Sequence, residues 1–96
     1  MTVYAIAQIS ITDRDSYNKY LARFMDVFGR FNGSLLAADA SPEVVEGQWD
    51  REKVILMSFP DAHSFYEWAR SSEYQEISID RKAGSEGVVL LAKGLS

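Results

Sequence analysis

Cysteine is absent from the 96 residues, and histidine occurs once. Without thiols there is no disulfide, no thiolate-held iron–sulfur cluster and no cysteine nucleophile, a composition that fits a reducing compartment. One histidine and no cysteine also argue against a transition-metal site. Glycine numbers only six, and Gly84 and Gly87 stand too isolated to form a loop that cradles phosphates. No cofactor signature is read. Positive charge is scarce: ten Lys and Arg stand against fourteen Asp and Glu, for a net charge of −4. The basic residues are scattered from Arg14 to Lys93, so no face collects them to neutralise phosphates or an anionic bilayer. Neither a nucleic acid nor a membrane is expected as partner. No apolar run approaches the roughly 20 residues that a spanning helix needs. The opening residues Met1 to Gln8 have no basic leader and alternate like a strand, so they do not read as a signal peptide. The expected location is the cytoplasm.

What the chain does have is apolar and aromatic mass, 47% and 12% of its residues. That is enough for a packed core, and the length fits one domain over residues 1–96. Val3 to Ile11 alternates with period two: Val3, Ala5, Ala7, Ile9 and Ile11 face one way, Tyr4, Ile6, Gln8 and Ser10 the other. Thr12-Asp13 offers a helix cap, with Asp15 in the first turn. From Tyr17 the spacing turns helical, with Tyr17, Tyr20, Leu21, Phe24, Phe28 and Phe31 on one stripe. Asn32-Gly33 is expected to close this helix with a left-handed cap.

A second strand is expected over Leu35–Asp39, continuing over Glu43–Gly47 after a break at Ser41-Pro42. Lys53–Phe59 reads as a third strand, with Val54 and Leu56 on one face and Ile55, Met57 and Phe59 on the other. Pro60 stops it and Asp61 caps a short aromatic helix containing Phe65, Tyr66 and Trp68. Ser72-Glu73-Tyr74-Gln75 matches a capping box for a further helix, which ends at Ala83-Gly84. Val88–Lys93 forms the last strand.

The order βαββαβ in one short α+β domain predicts a ferredoxin-like fold with a four-stranded antiparallel sheet. Right-handed crossovers are taken to place the first and third strands side by side and parallel in the centre, flanked by the fourth and second. The helices cover one face, yet strands one, three and four are apolar on both. An uncovered apolar face would forfeit on the order of 10 kcal/mol, as much as a typical domain's whole stability. A homodimer packed through the helix-free sheet face, a dimeric α/β barrel, is the expected resolution.

Several of these residues together resemble the domain-of-unknown-function family 1330, of the dimeric α/β-barrel, ferredoxin-like group. The carriers are Asp13, Tyr17 and Tyr20 at the first helix and Gly33 after it, then Glu43-Val44-Val45-Glu46-Gly47 with Trp49. Further carriers are Phe59-Pro60, Trp68, Ser71, Glu73-Tyr74-Gln75 and Gly94. The resemblance implies the fold and the dimer. The chain departs from the family pattern at Ala38-Asp39 (commonly an arginine), Gln48 (an acidic residue), Ala69 (a tyrosine) and Ser72 (a proline). These departures remove a charge and a phenol near the expected ligand region, so the resemblance does not extend to a shared ligand.

Candidate chemistry is sparse. His63 lies beside Asp61 and Ser64, but adjacent residues in a first helical turn diverge, so no triad is read and the imidazole is expected at the surface. The carboxylate pairs Glu43/Glu46 and Glu73/Glu76 read as solvated, with Glu46, near Trp49, the best placed. The richer set is Tyr17, Tyr20, Trp49, Tyr66, Trp68 and Tyr74, whose polar ends need partners beyond packing. With Glu46 and with Arg81 as partner for an anionic group, these are the candidate ligand-binding residues of a cleft between helices and sheet. The expected function is binding of a small apolar or aromatic molecule by a homodimer, with cofactor-independent catalysis as an extension by fold analogy. The alternative is a non-catalytic dimerisation or accessory module whose cleft is filled by its own side chains.

Overall fold

A computed structural model describes all 96 residues, Met1–Ser96. The elements are β1 (Val3–Ile11), α1 (Arg14–Phe28), β2 (Ser34–Asp39), β3 (Lys53–Phe59), α2 (Ala62–Ala69), α3 (Ser72–Gly84) and β4 (Ser85–Lys93). They form one four-stranded sheet in the order β2-β3-β1-β4 with every neighbouring pair antiparallel, a ferredoxin-like α+β fold. The expected parallel centre is corrected: Val3 lies opposite Phe59 and Ile9 opposite Lys53, so β1 and β3 run in opposite directions. The crossover through α1 skips one strand position and enters β2 in the direction of β1. The chain then returns into the gap as β3, which reverses it.

The alternation of β1 becomes burial. Val3, Ala5, Ala7 and Ile9 are all under 9% exposed beneath the helices. The opposite face carries no helix, and it is apolar in register. Ile6 sits between Leu56 and Leu90, and Gln8 between Val54 and Val88. Val88 and Leu90 are about half exposed, 46% and 52%.

Each helix starts where its cap dictates. Asp13 accepts the amide of Ser16 at 3.3 Å and Asp61 that of Ser64 at 2.7 Å. At α3 the cap is Ser71, one residue earlier than the capping box expected at Ser72. Its Oγ accepts the Tyr74 amide at 3.1 Å and donates to the Trp68 carbonyl at 2.7 Å. One hydroxyl thus ends α2 and begins α3, while Gln75 turns back to the carbonyl of Ala69. The Ser72 hydroxyl bonds Glu73 instead.

Three boundaries differ from expectation. First, α1 stops at Phe28 because Arg30 and Phe31 tighten into bonds to the carbonyls of Val27 and Phe28, three residues back. Gly33 is not a left-handed cap, since the sole positive φ in the chain belongs to Gly47. Its smallness serves packing: a Cβ there would come within 2.6 Å of the rings of Phe28 and Phe59. Second, Glu43–Gly47 is not a strand. Pairing of β2 with β3 ends at Asp39 opposite Val54, one residue from the start of β3, so these residues have no partner left. They form part of a loop pinned by Trp49, whose indole donates to Gln8 at 2.9 Å. Third, β4 begins at Ser85, directly after α3, because β1 continues to offer it partners as far as Ile11.

The core between helices and sheet is an aromatic cluster. Phe28 and Phe59 are 2% and 1% exposed with ring centroids 5.9 Å apart, whereas Phe24 is only partly buried. Phe28→Ala is expected to lower stability in urea unfolding by about 3–5 kcal/mol. Phe24→Ala should lose less, and equal losses would show that Phe24 is a sealed core residue.

Candidate functional site

Helix periodicity brings one polar–aromatic set together under the helices. Tyr17, Tyr20, Leu21 and Phe24 project from one stripe of α1, at spacings of three and four residues. Phe65, Trp68 and Ala69 come from α2, and Tyr74, Gln75, Ser78 and Arg81 from successive turns of α3. The floor is the sheet, with Ala7 and Ile9 of β1, Leu35 and Ala38 of β2, Lys53, Ile55 and Met57 of β3, and Val89 of β4. Small alanines in the floor and large rings in the walls leave a cavity of about 290 Å³. Fifteen of its twenty lining residues are hydrophobic, so it is an apolar hollow with a few polar points.

The polar points cluster at the α1–α3 side. The hydroxyls of Tyr20 and Tyr74 bond at 3.0 Å within the protein. The Tyr17 and Tyr20 rings are 5.8 Å apart, and Trp68 lies 4.2 Å from Tyr74. Arg81 is near enough for its charge to act on the phenols of both Tyr17 and Tyr20. Close approach of α3 to the start of α1 makes this possible. Thr12 and Asp13 donate to the Gly84 carbonyl, and a Cβ on Gly84 would fall 2.5 Å from the Tyr17 nitrogen. The Lys53 ammonium stands 5.0 Å from the Tyr17 ring centroid. Glu52 fixes that lysine's strand end by accepting from the Ile11 amide at 3.1 Å and from Arg14 at 2.9 Å. These bonds, the Ile11 amide first and the arginine second, hold the Glu52 carboxyl below its usual range.

Two buried donors in the wall have no acceptor: the indole N–H of Trp68 and the Nε–H of Arg81. An unmet buried polar group costs about 1–3 kcal/mol, and a stable wall carries such groups only against compensation. Burial shifts the site's titrations. Tyr17 is pushed up to about 12, chiefly by desolvation and then by Tyr74, with Arg81 pulling the other way. Tyr20 is raised further by burial and by its bond to Tyr74. Desolvation, reinforced by Arg14, lowers Lys53.

Of the eight residues singled out in the sequence, Tyr17, Tyr20, Trp68, Tyr74 and Arg81 line this cavity. Glu46 and Trp49 lie together at a shallow depression with Gln8 and Val54, on the helix-free side of the sheet. Tyr66 is 41% exposed and stacks under the Arg70 guanidinium at 4.3 Å. His63 is exposed, 3.9 Å from Glu67. No group of His, Cys, Asp and Glu is arranged to hold a metal. Of the polar lining residues that sequence reading passed over, Lys53, Gln75, Ser78 and Lys82, the one with a clear signal is Lys53. Its signal was the alternation of β3, which puts a lysine on the same face as Ile55, Met57 and Phe59.

The raised phenols make stability fall in alkali. Unfolded tyrosines ionise near 10.0 while Tyr17 holds its proton to about 12, so the stabilisation is complete below pH 10 and is lost as pH rises through 12. Ultraviolet titration of the native protein should therefore show Tyr17 and Tyr20 ionising last, and Tyr17→Phe should flatten the alkaline decline in unfolding free energy. An unchanged decline would remove Tyr17 as its source.

Solved structures share this architecture at low identity. A protein of unknown function from Rhodopseudomonas palustris superposes with a TM-score of 0.82 at 18% identity, over 99% of this chain and 83% of its own. SnoaB, a cofactor-independent oxygenase from Streptomyces nogalater, gives 0.72 at 14%, over 99% and 94%. A dimeric ferredoxin-like protein of unknown function from Jannaschia sp. gives 0.77 at 9%, over 98% and 100%. At these identities the likeness establishes the fold. No curated protein matches the chain significantly. No helix is long and apolar enough to cross a membrane. The family model for the domain of unknown function DUF1330 matches residues 2–95, and the chain belongs to that family.

Proposed function

We propose that the chain is a small-molecule-binding homodimer of the cytoplasm, whose cavity between helices and sheet holds a small apolar or aromatic molecule. The observation that carries this is the apolar hollow of about 290 Å³ whose wall keeps the Trp68 and Arg81 donors buried and unpaired. Side chains packed for stability alone close such space to crystal-like density and pair their polar groups. Tyr17, Tyr20, Trp68, Tyr74 and Arg81 are the contact residues in this reading, joined by Lys53. Glu46, Trp49 and Tyr66 lie outside it. The likeness to SnoaB supports cofactor-free catalysis by fold analogy alone. No Asp, Glu or His lines the cavity, so the usual general bases are missing from its wall, and binding is the function adopted. An accessory module with a self-filled cleft is disfavoured by the open space.

Dimerisation rests on the helix-free face. The Leu56–Ile6–Leu90 row and the flanking Val54 and Val88 form an apolar surface across three strands. Burying each such side chain is worth roughly 1.5–3 kcal/mol, and a second copy offers the same surface in return. The dimeric neighbour from Jannaschia sp. supports the same assembly.

Isothermal titration with 1-naphthol should give one site per chain, lost in Ala38→Phe, which plugs the floor from an exposed edge-strand position. Undiminished binding by that variant would place the site elsewhere. Sedimentation equilibrium at micromolar concentration should show a dimer, and Leu90→Asp a monomer. A monomeric parent chain would overturn the assembly.

A further inference from the structure

The cavity's charge is opposite to that of the protein. Fourteen acidic residues outnumber ten basic ones over the chain. Yet no carboxylate lines the cavity, and Lys53, Arg81 and Lys82 do. Neither Arg81 nor Lys53 takes part in an ion pair. The Nε–H of Arg81 and the indole N–H of Trp68, which is 3% exposed, have no acceptor within the protein, although both atoms are sealed beneath the surface of the wall. The Tyr20–Tyr74 bond engages one hydroxyl hydrogen of the two, and either oxygen can be its donor. The polar part of the wall is therefore rich in hydrogens and poor in acceptors. A ligand that satisfies it brings oxygen lone pairs and, beside two unpaired cations, negative charge.

Building on the binding function above, we infer that the cavity takes a monocarboxylate with a flat apolar body. Its carboxylate is held by Arg81, with Lys53 and Lys82 adding positive charge from the same lining. A guanidinium grips a carboxylate through two parallel bonds, here from its two terminal nitrogens since Nε is sealed in the wall, and a neutral amide or alcohol cannot reproduce that grip. The ring system then lies over Ala7 and against Phe24, where the lining is apolar. Carboxylate recognition also accounts for Arg81 standing without a partner in an acidic protein. A carboxylate of its own chain would have neutralised it.

The test compares 1-naphthoate with 1-naphthamide, of the same shape without the charge, by calorimetric titration of the full chain. The expected result is naphthoate binding about ten-fold or more tighter than naphthamide. Arg81→Gln, checked for an unchanged circular dichroism spectrum, should remove that preference by weakening naphthoate alone. Arg81→Lys, which keeps the charge and loses the fork, should restore only part of it. Equal affinities in the parent chain would overturn the carboxylate assignment and leave small-molecule binding standing. Failure of both probes to bind would overturn both. Retention of the full preference in Arg81→Gln would remove Arg81 from the site.

Discussion

Trp68 is the contact on which the three layers depend. Its indole meets Phe24 and Phe28 of α1, Phe59 of β3, Phe65 of its own helix and Tyr74 of α3, all with ring centroids within 6.1 Å. Rings of this size cannot interpenetrate, so they fix how closely the helices approach the sheet. The floor of the gap includes Ala7 of β1 and Ala38 of β2, which rise too little from the sheet to fill it. The hollow is the outcome of large residues on one side of a gap and small ones on the other. Stability and the hollow have the same source.

Much of the architecture was legible because periodicity reports burial directly. Val3, Ala5, Ala7 and Ile9 alternate in sequence and are buried in alternation. The stripe from Tyr17 to Phe28 is the stripe that faces the sheet, and five of the eight residues chosen for their chemistry share one cavity. The misses have a common cause, which is that partners distant in sequence decided them. Glu43–Gly47 has the residues of a strand but no neighbour to pair with. Gly33 looks like a cap, and only the rings of Phe28 and Phe59 reveal why it is small. Ser71 and Ser72 are equal as caps until Trp68 offers its carbonyl to one of them. Trp49 and Tyr66 look like Trp68 and Tyr74 by type, and the face of the sheet or helix on which each falls separates them.

Charge is organised by the same geometry. Glu52 is half-buried, and it ties the ends of β1 and β3 to the first residue of α1 through Ile11 and Arg14. That arrangement uses up the nearby carboxylate on the outside of the fold and leaves Lys53, its neighbour in sequence, facing the inside alone. Strand alternation sends adjacent residues to opposite surroundings, so one position serves the scaffold and the next supplies the cavity.

The double role of Ser71 bears on how α2 and α3 hold together. Its hydroxyl terminates α2 and caps α3 at once, so separating the two helices breaks at least one of the two bonds. Trp68 and Tyr74, three residues to either side, are coupled through that single oxygen. The two helices therefore form one continuous wall, which α1 meets by side-chain packing and by the close pass at Gly84.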